Sequence, residues 1–267
     1  MDPLFVPAPK PYSAYAPVAR PPRRPRWATA ERDDALPQTP AARAAELRRI
    51  ADQLGRVVRA IRWGRTQNDA WDRHCQFIFR LRSADGVRER AAHVAQEHHL
   101  DSDELVHYAL RRWYCFWGAR MAELLFLEHE GVVAGPPRDH EVDFLIDGVP
   151  FDLKTSELPQ AYADRLGDFF TDPIGVATWF YEHQSRERRF HEANRLFLVL
   201  VDADQPDEAW RLRADLPVLR SAISAFLARR RYLELWLPND AGGRHKVLTA
   251  VIPVTPAAGD HQLRLKL

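Results

Sequence analysis

Two aspartates and a lysine lie close together in residues 141–154, whose sequence is EVDFLIDGVPFDLK. The Asp-Gly pair in the middle is typical of a two-residue type I′ turn, which joins two antiparallel strands. Such a turn sets the register of the hairpin and places Asp143 directly across from Asp152. Lys154 shares their face because side chains alternate along a strand. Glu141 lies directly across from Lys154 on the same face, so the predicted hairpin presents three carboxylates and one ammonium group on one side.

These groups are suited to the hydrolysis of a phosphodiester. Like charges placed opposite each other on a sheet repel, so the two aspartates predict a cation between them. Mg²⁺ is usually held by one or two carboxylates, several waters and a substrate phosphate, and Asp143 and Asp152 match this set. Lys154 would orient the attacking water or neutralise charge on the phosphate. The alternative is an exposed edge that carries only an ion pair between Glu141 and Lys154.

The other face of the hairpin is apolar. Six side chains on it pair across the two strands: Ile146 with Val149, Phe144 with Phe151, and Val142 with Leu153. We expect this face to pack on a core, because side chains alternate between the two faces of a strand.

A long helix precedes the hairpin. Ser102 suits the N-cap and Gly131 suits the left-handed position after the last turn, so we expect a helix from Ser102 to about Glu130. Apolar residues occupy nearly every side of it, as a helix packed centrally on a sheet requires. Glu123 lies on an apolar stripe, where a carboxylate needs a partner. A metal ion and an ion pair with Arg120 are both open as that partner.

Helices and strands alternate after the hairpin. We expect a helix from Pro173 towards Ala193, a buried strand at 196–201, a helix from Leu216, and strands near 233–237 and 247–254. With a short extended piece at residues 132–133, the order is α, β, β, β, α, β, α, β, β. This order predicts a mixed sheet covered by helices, in the α/β or α+β class.

Asp143, eight intervening residues and then Asp152-Leu153-Lys154 resemble the signature of the PD-(D/E)XK, or restriction-endonuclease-like, superfamily of phosphodiesterases. In that family a helix precedes a three-stranded meander whose last two strands carry the acid and the acid-x-lysine. A helix and a strand follow, which is similar to the order predicted for residues 102–201. The resemblance implies a restriction-endonuclease-like core and cleavage of nucleic acid, with DNA favoured over RNA.

The resemblance also implies roles for individual residues. Glu123 would join Asp143 and Asp152 in holding Mg²⁺ or Mn²⁺, and the carbonyl of Leu153 would complete the shell. With Lys154, the three acids would form the catalytic set. The family often works as dimers, which leaves a homodimer open here.

Polar and basic residues follow the aromatic run at positions 179–181 and could contact phosphates of a nucleic acid: Gln184, Arg186, Arg188 and Arg189. The alternative is a solvated helix end, where arginine is favoured near the carboxyl-terminal pole.

The first hundred residues predict an extension to the catalytic domain. The segment up to residue 38 is rich in proline and arginine and predicts a disordered or extended arm, either solvated or in contact with phosphate. Thr39-Pro40 begins an amphipathic helix, and two further helices are expected at about 68–81 and 86–98. The predicted domains are the arm (1–38), a helical subdomain (39–100) and a nuclease-like domain (101–267).

The composition narrows the class of protein further. The net charge of +1 over 267 residues argues against a wholly basic binder. Cys75 and Cys115 lie among large apolar residues, which predicts buried thiols in a reducing compartment. No apolar run approaches the ~20 residues that span a bilayer, so we expect a cytoplasmic protein without a membrane segment.

Three functions are compatible with these features. The first is a metal-dependent nuclease. The second is a non-catalytic nucleic-acid-binding or scaffold module with a nuclease-like fold. The third is a defence or toxin-like nuclease that a regulatory protein partner holds silent, for which the arm and the helical subdomain are the only motivation.

Overall fold

The computed structural model describes residues 5–6, 36–37, 39–64, 69–136, 142–183, 193–238 and 242–256. These residues divide into two compact units. The helical unit contains the described residues from Leu36 to Leu124, and the sheet unit contains the first strand and the described residues from Leu125 onward. The sequence placed the boundary after residue 100. The units instead divide after Leu124, because most of the long helix packs within the helical unit.

Four α-helices form the described part of the helical unit: α1 (Pro40–Val57), α2 (Asp69–His74), α3 (Ala84–Glu97) and α4 (Ser102–Phe126), whose last two residues belong to the sheet unit. Thr39 caps α1 as predicted, since its hydroxyl accepts a hydrogen bond from the amide of Ala42 (3.2 Å). The single helix expected at 68–81 is instead α2 followed by a 3₁₀ helix at Gln76–Phe79.

Helix α4 is buried on most of its sides, as its apolar sequence predicts. The indole groups of Trp113 and Trp117 both donate to the carbonyl of Leu81, at 2.7 and 3.2 Å. These bonds fix α4 against the segment before α3, which explains why it belongs mainly to the helical unit.

The ends of α4 differ from the prediction. Its cap is Asp101 and not Ser102, because the carboxylate of Asp101 accepts the amide of Glu104 at 2.8 Å. The helix ends at Phe126 and not near residue 130, and a turn follows it. Gly131 adopts the predicted left-handed conformation, with φ of 78°, at the end of that turn.

Seven strands are described in the sheet unit: β1 (Phe5–Val6), β2 (Val132–Ala134), β3 (Phe144–Ile146), β4 (Val149–Glu157), β5 (Arg195–Leu200), β6 (Tyr232–Pro238) and β7 (Arg244–Val254). They form one sheet in the order β1-β6-β7-β5-β4-β3-β2. Strand β5 runs parallel to both of its neighbours, and the other pairs are antiparallel. The predicted mixed sheet and the meander of β2, β3 and β4 are confirmed.

Three α-helices are described in the sheet unit after the meander: α5 (Leu166–Thr171), α6 (Pro173–His183) and α7 (Leu216–Arg229). Phe180 of α6 stacks on Phe197 of β5, with ring centroids 4.8 Å apart. Phe226 of α7 contacts Tyr232 edge to face, and Tyr232 also stacks on Phe151. The sheet is therefore covered by helices, and the predicted order of elements is confirmed, with short α5 and the edge strand β1 as additions.

The hairpin of β3 and β4 has the predicted register. Phe144 pairs with Phe151 and Ile146 with Val149. All four side chains are buried, and Phe144 stacks on Phe126 with centroids 4.6 Å apart. Both residues of the connecting turn have positive φ, as a type I′ turn requires.

Gly148→Ala is expected to destabilise the sheet unit by about 1–2 kcal/mol, because φ at this position is 82° and a Cβ is strained in that region. Urea unfolding followed by circular dichroism measures the change. Gly167→Ala is the control, since a Cβ there meets nothing within 4 Å and φ is not positive. An unchanged free energy of unfolding for Gly148→Ala would mean that the turn is not held in this conformation.

Cys75 and Cys115 are both free thiols, the first buried and the second partly exposed. Burial raises the pKa of the Cys75 thiol to about 12, which keeps it protonated and unreactive. Among the described helices, none combines the length and the apolar character needed to cross a bilayer.

Candidate active site

The hairpin brings Asp143 and Asp152 together. Asp143 lies one residue before β3, and its amide donates to the carbonyl of Phe151 (2.9 Å). Its Oδ2 accepts a hydrogen bond from the amide of Leu153 at 2.6 Å. The carboxylate of Asp143 is thereby fixed against β4, beside the residue that follows Asp152.

Asp152 is buried, and each of its carboxylate oxygens contacts a cation. Oδ1 accepts a hydrogen bond from Nζ of Lys154 at 2.6 Å, and Oδ2 accepts one from Nε of Arg195 at 3.2 Å. Only 6% of the Asp152 side chain is exposed, whereas 41% of the Lys154 side chain is exposed. The structure thus groups the predicted residues and adds an arginine to them.

Arg195 is the residue at this site that the sequence analysis missed. It is the first residue of β5 and pairs with Asp152 across the parallel ladder. Its guanidinium lies over the ring of Tyr181, 5.3 Å from the centroid. The Tyr181 hydroxyl donates to the carbonyl of Ala193 at 2.8 Å, and burial raises the pKa of Tyr181, so the hydroxyl keeps its proton. The sequence does contain a signal for this residue, because Arg195 directly precedes an apolar strand and a buried arginine needs a partner.

The charges of these four side chains balance without a bound ion. A cation was predicted because Asp143 and Asp152 were expected to lie opposite each other across the hairpin. Lys154 and Arg195 meet that requirement on the side of Asp152. The repulsion between Asp143 and Asp152 therefore does not by itself require a metal ion.

Glu123 has a protein partner. Its Oε2 accepts from Nη1 of Arg120 at 2.9 Å, which is the ion pair that the sequence left open as an alternative. Across the described parts of the chain, no three His, Cys, Asp or Glu side chains are grouped so that they could hold a metal ion. The three-carboxylate ligand set of Glu123, Asp143 and Asp152 stays a prediction.

Two carboxylates and one carbonyl of the sheet unit have the chemistry for a hard divalent cation. The amide of Asp152 donates to Asn194 on the β5 side (2.9 Å), whereas the amide of Leu153 donates to Asp143 on the β3 side. The carbonyl of an extended residue points to the same side as its amide, so the Leu153 carbonyl faces the Asp143 side. Since Mg²⁺ usually takes only one or two carboxylates and keeps several waters, this donor set is sufficient.

Helix α6 is described as far as His183, whose ring stacks on Trp179 with centroids 4.4 Å apart. The predicted phosphate contacts lie outside the described residues: Gln184, Arg186, Arg188 and Arg189. Glu141, the partner of Lys154 in the alternative interpretation, also lies outside them. The observed partner of Lys154 is Asp152.

Comparisons of the chain with protein-family models, with curated proteins and with solved structures find no match. The resemblance to the PD-(D/E)XK superfamily therefore rests on the residues themselves. The observed hairpin register and the observed order of elements are both compatible with it.

Proposed function

We propose that this chain is a metal-dependent nuclease with a restriction-endonuclease-like core, which hydrolyses nucleic-acid phosphodiesters at Asp143, Asp152 and Lys154. One observation carries the proposal. The Asp143 carboxylate accepts a hydrogen bond from the amide of Leu153, the residue after Asp152. The partly exposed ammonium group of Lys154 lies 2.6 Å from Oδ1 of Asp152. The two acids and the lysine are thus grouped around residues 152–154 in the middle of β4, an arrangement suited to metal-assisted phosphodiester hydrolysis.

Each residue has a distinct role in the proposal. Asp143, Asp152 and the Leu153 carbonyl would hold Mg²⁺ or Mn²⁺, which when bound supplies a Lewis acid and lowers the pKa of its water. Lys154 would turn from Asp152 towards a phosphate oxygen and stabilise the charge that develops there. Glu123 stays a predicted further ligand, with Arg120 as its observed partner. The proposed substrate is DNA ahead of RNA.

A second candidate function is a non-catalytic nucleic-acid-binding or scaffold module. The observation that favours it is the charge balance at the site, because Lys154 and Arg195 together pair both oxygens of Asp152. A buried acid held in this way can serve a purely structural purpose.

Cleavage of labelled single- and double-stranded DNA and RNA distinguishes the two functions. Wild-type protein is expected to cut with Mg²⁺ or Mn²⁺ and to be inactive with EDTA. Asp143→Asn is expected to lose about 10²-fold in rate, because the amide oxygen can still accept the Leu153 N–H but the negative charge at the metal is gone. Tight nucleic-acid binding without metal-dependent cleavage of any substrate would establish the second candidate instead.

Glu234→Gln is the matched control for this experiment. Glu234 is an exposed acid on β6 that pairs with Lys246 at 3.0 Å, away from the hairpin. Its neutralisation should leave both cleavage and metal dependence unchanged.

A further inference from the structure

The two cations that hold Asp152 differ in their freedom to move. The Arg195 side chain is 3% exposed, whereas that of Lys154 is 41% exposed. Arg195 contacts Oδ2 and Lys154 contacts Oδ1. Oδ2 is therefore held by the buried guanidinium of Arg195, whereas Oδ1 is held by an ammonium group that can move into solvent.

Arg195 is fixed from several sides. Its strand lies between β4 and β7, where it pairs with Asp152 and Thr249. The hydroxyl of Thr249 donates to the carbonyl of Arg195 at 2.7 Å. The ring of Tyr181 lies against its guanidinium.

The energetics of the two ion pairs follow from their burial. Separating a buried pair leaves an uncompensated charge and is strongly unfavourable, so Arg195 stays on Oδ2. Because 41% of the Lys154 side chain is exposed, water solvates its ammonium group once it leaves Oδ1, and an incoming divalent cation replaces its charge beside the buried carboxylate. Exchange of Lys154 for such a cation is therefore less unfavourable than separation of Arg195. Oδ1 is consequently the oxygen that can exchange ligands.

We propose that Arg195 is a positioning residue that holds Oδ2 of Asp152 in every state of the site, so that Oδ1 alone exchanges between Lys154 and a divalent cation. Lys154 is then an internal competitor of the metal as well as a catalytic group. This inference rests on the proposed nuclease function, and it specifies how metal binding at that site is controlled.

Mn²⁺ binding to the full chain, measured by calorimetry or by the electron paramagnetic resonance of free Mn²⁺, tests the proposal without a nucleic acid. Arg195→Met is expected to weaken Mn²⁺ binding about tenfold or more, because Asp152 loses its orientation. Arg195→Lys, which keeps the charge, should recover most of the affinity. Lys154→Met is expected to bind Mn²⁺ severalfold more tightly than the wild type, because the competitor of the metal is removed.

A cleavage assay adds a second readout. In Arg195→Met the Mn²⁺ concentration for half-maximal cleavage should rise about tenfold, while the maximal rate at saturating Mn²⁺ falls much less. A residue that is only structural would lower the maximal rate without shifting the metal dependence.

Several outcomes would overturn the inference. Wild-type Mn²⁺ affinity in folded Arg195→Met would show that Arg195 does not orient Asp152, and the nuclease proposal would stand. If Arg195→Met does not fold, Lys154→Met decides, since unchanged or weaker Mn²⁺ binding in that variant contradicts the exchange at Oδ1. A wild-type chain that neither binds Mn²⁺ nor cleaves nucleic acid would overturn both proposals.

Discussion

Lys154→Met is expected to reduce nucleic-acid cleavage by about 10³-fold, because the only ammonium group beside Asp152 among the described residues would be lost. The fold should survive the substitution. Asp152 keeps its hydrogen bond from Arg195, and the Lys154 side chain is 41% exposed, so its loss should cost less stability than the loss of the buried Arg195. Single-turnover cleavage at saturating metal, together with urea unfolding, measures the two effects separately.

Lys246→Met is the matched control for Lys154→Met. Lys246 lies on β7, pairs with Glu234, and is 44% exposed, close to the exposure of Lys154. This substitution removes the same charge from the same sheet and should change neither cleavage nor stability. Retention of wild-type cleavage in Lys154→Met would contradict the proposed mechanism.

Asp152→Leu is expected to lower the free energy of unfolding by about 3–5 kcal/mol, since it leaves the buried guanidinium of Arg195 without its carboxylate. Cleavage should be lost as well. Because both effects come from one residue, the loss of activity in this variant does not by itself identify a metal ligand. Denaturant unfolding monitored by circular dichroism gives the stability change.

The double variant Asp152→Leu with Arg195→Met separates the two effects. Replacing a buried ion pair by apolar side chains is often neutral, so most of the stability should return while cleavage stays absent. Should Asp152→Leu alone unfold like the wild type, the Arg195 charge would have to be solvated and could not be the fixed partner of Asp152.

The hairpin could be predicted because its signals are local. An Asp-Gly turn fixes the register, so the observed pairs Phe144–Phe151 and Ile146–Val149 followed from a few consecutive residues. The predicted pairing of Asp143 with Asp152 lies beyond the observed ladder, because the Asp143 amide donates to the carbonyl of Phe151. The caps of α1 and α6 were also predicted from neighbouring residues. The Asp172 carboxylate accepts the amide of Gly175 at 2.9 Å, at the start predicted from Asp172-Pro173.

The partner of Asp152 could not be predicted in the same way. Arg195 is 43 residues further along the chain, and no turn sets the register of two parallel strands that are joined by helices. The boundary between the two units, after Leu124, could not be predicted for a related reason. The apolar sequence of α4 shows that the helix is buried, but it does not show which neighbours bury it.

The parallel strands at the centre of the sheet also have a kinetic consequence. Arg195 meets Asp152 across 43 residues and meets Thr249 across 54, so the site exists only after two long loops have closed. Loop closure of this kind costs entropy before any contact repays it, and it slows folding. The hairpin can form early from its own sequence, whereas the ion pair that holds Asp152 forms only once β5 has docked. The buried pair of Asp152 and Arg195 is therefore expected to form late in folding, after the hairpin.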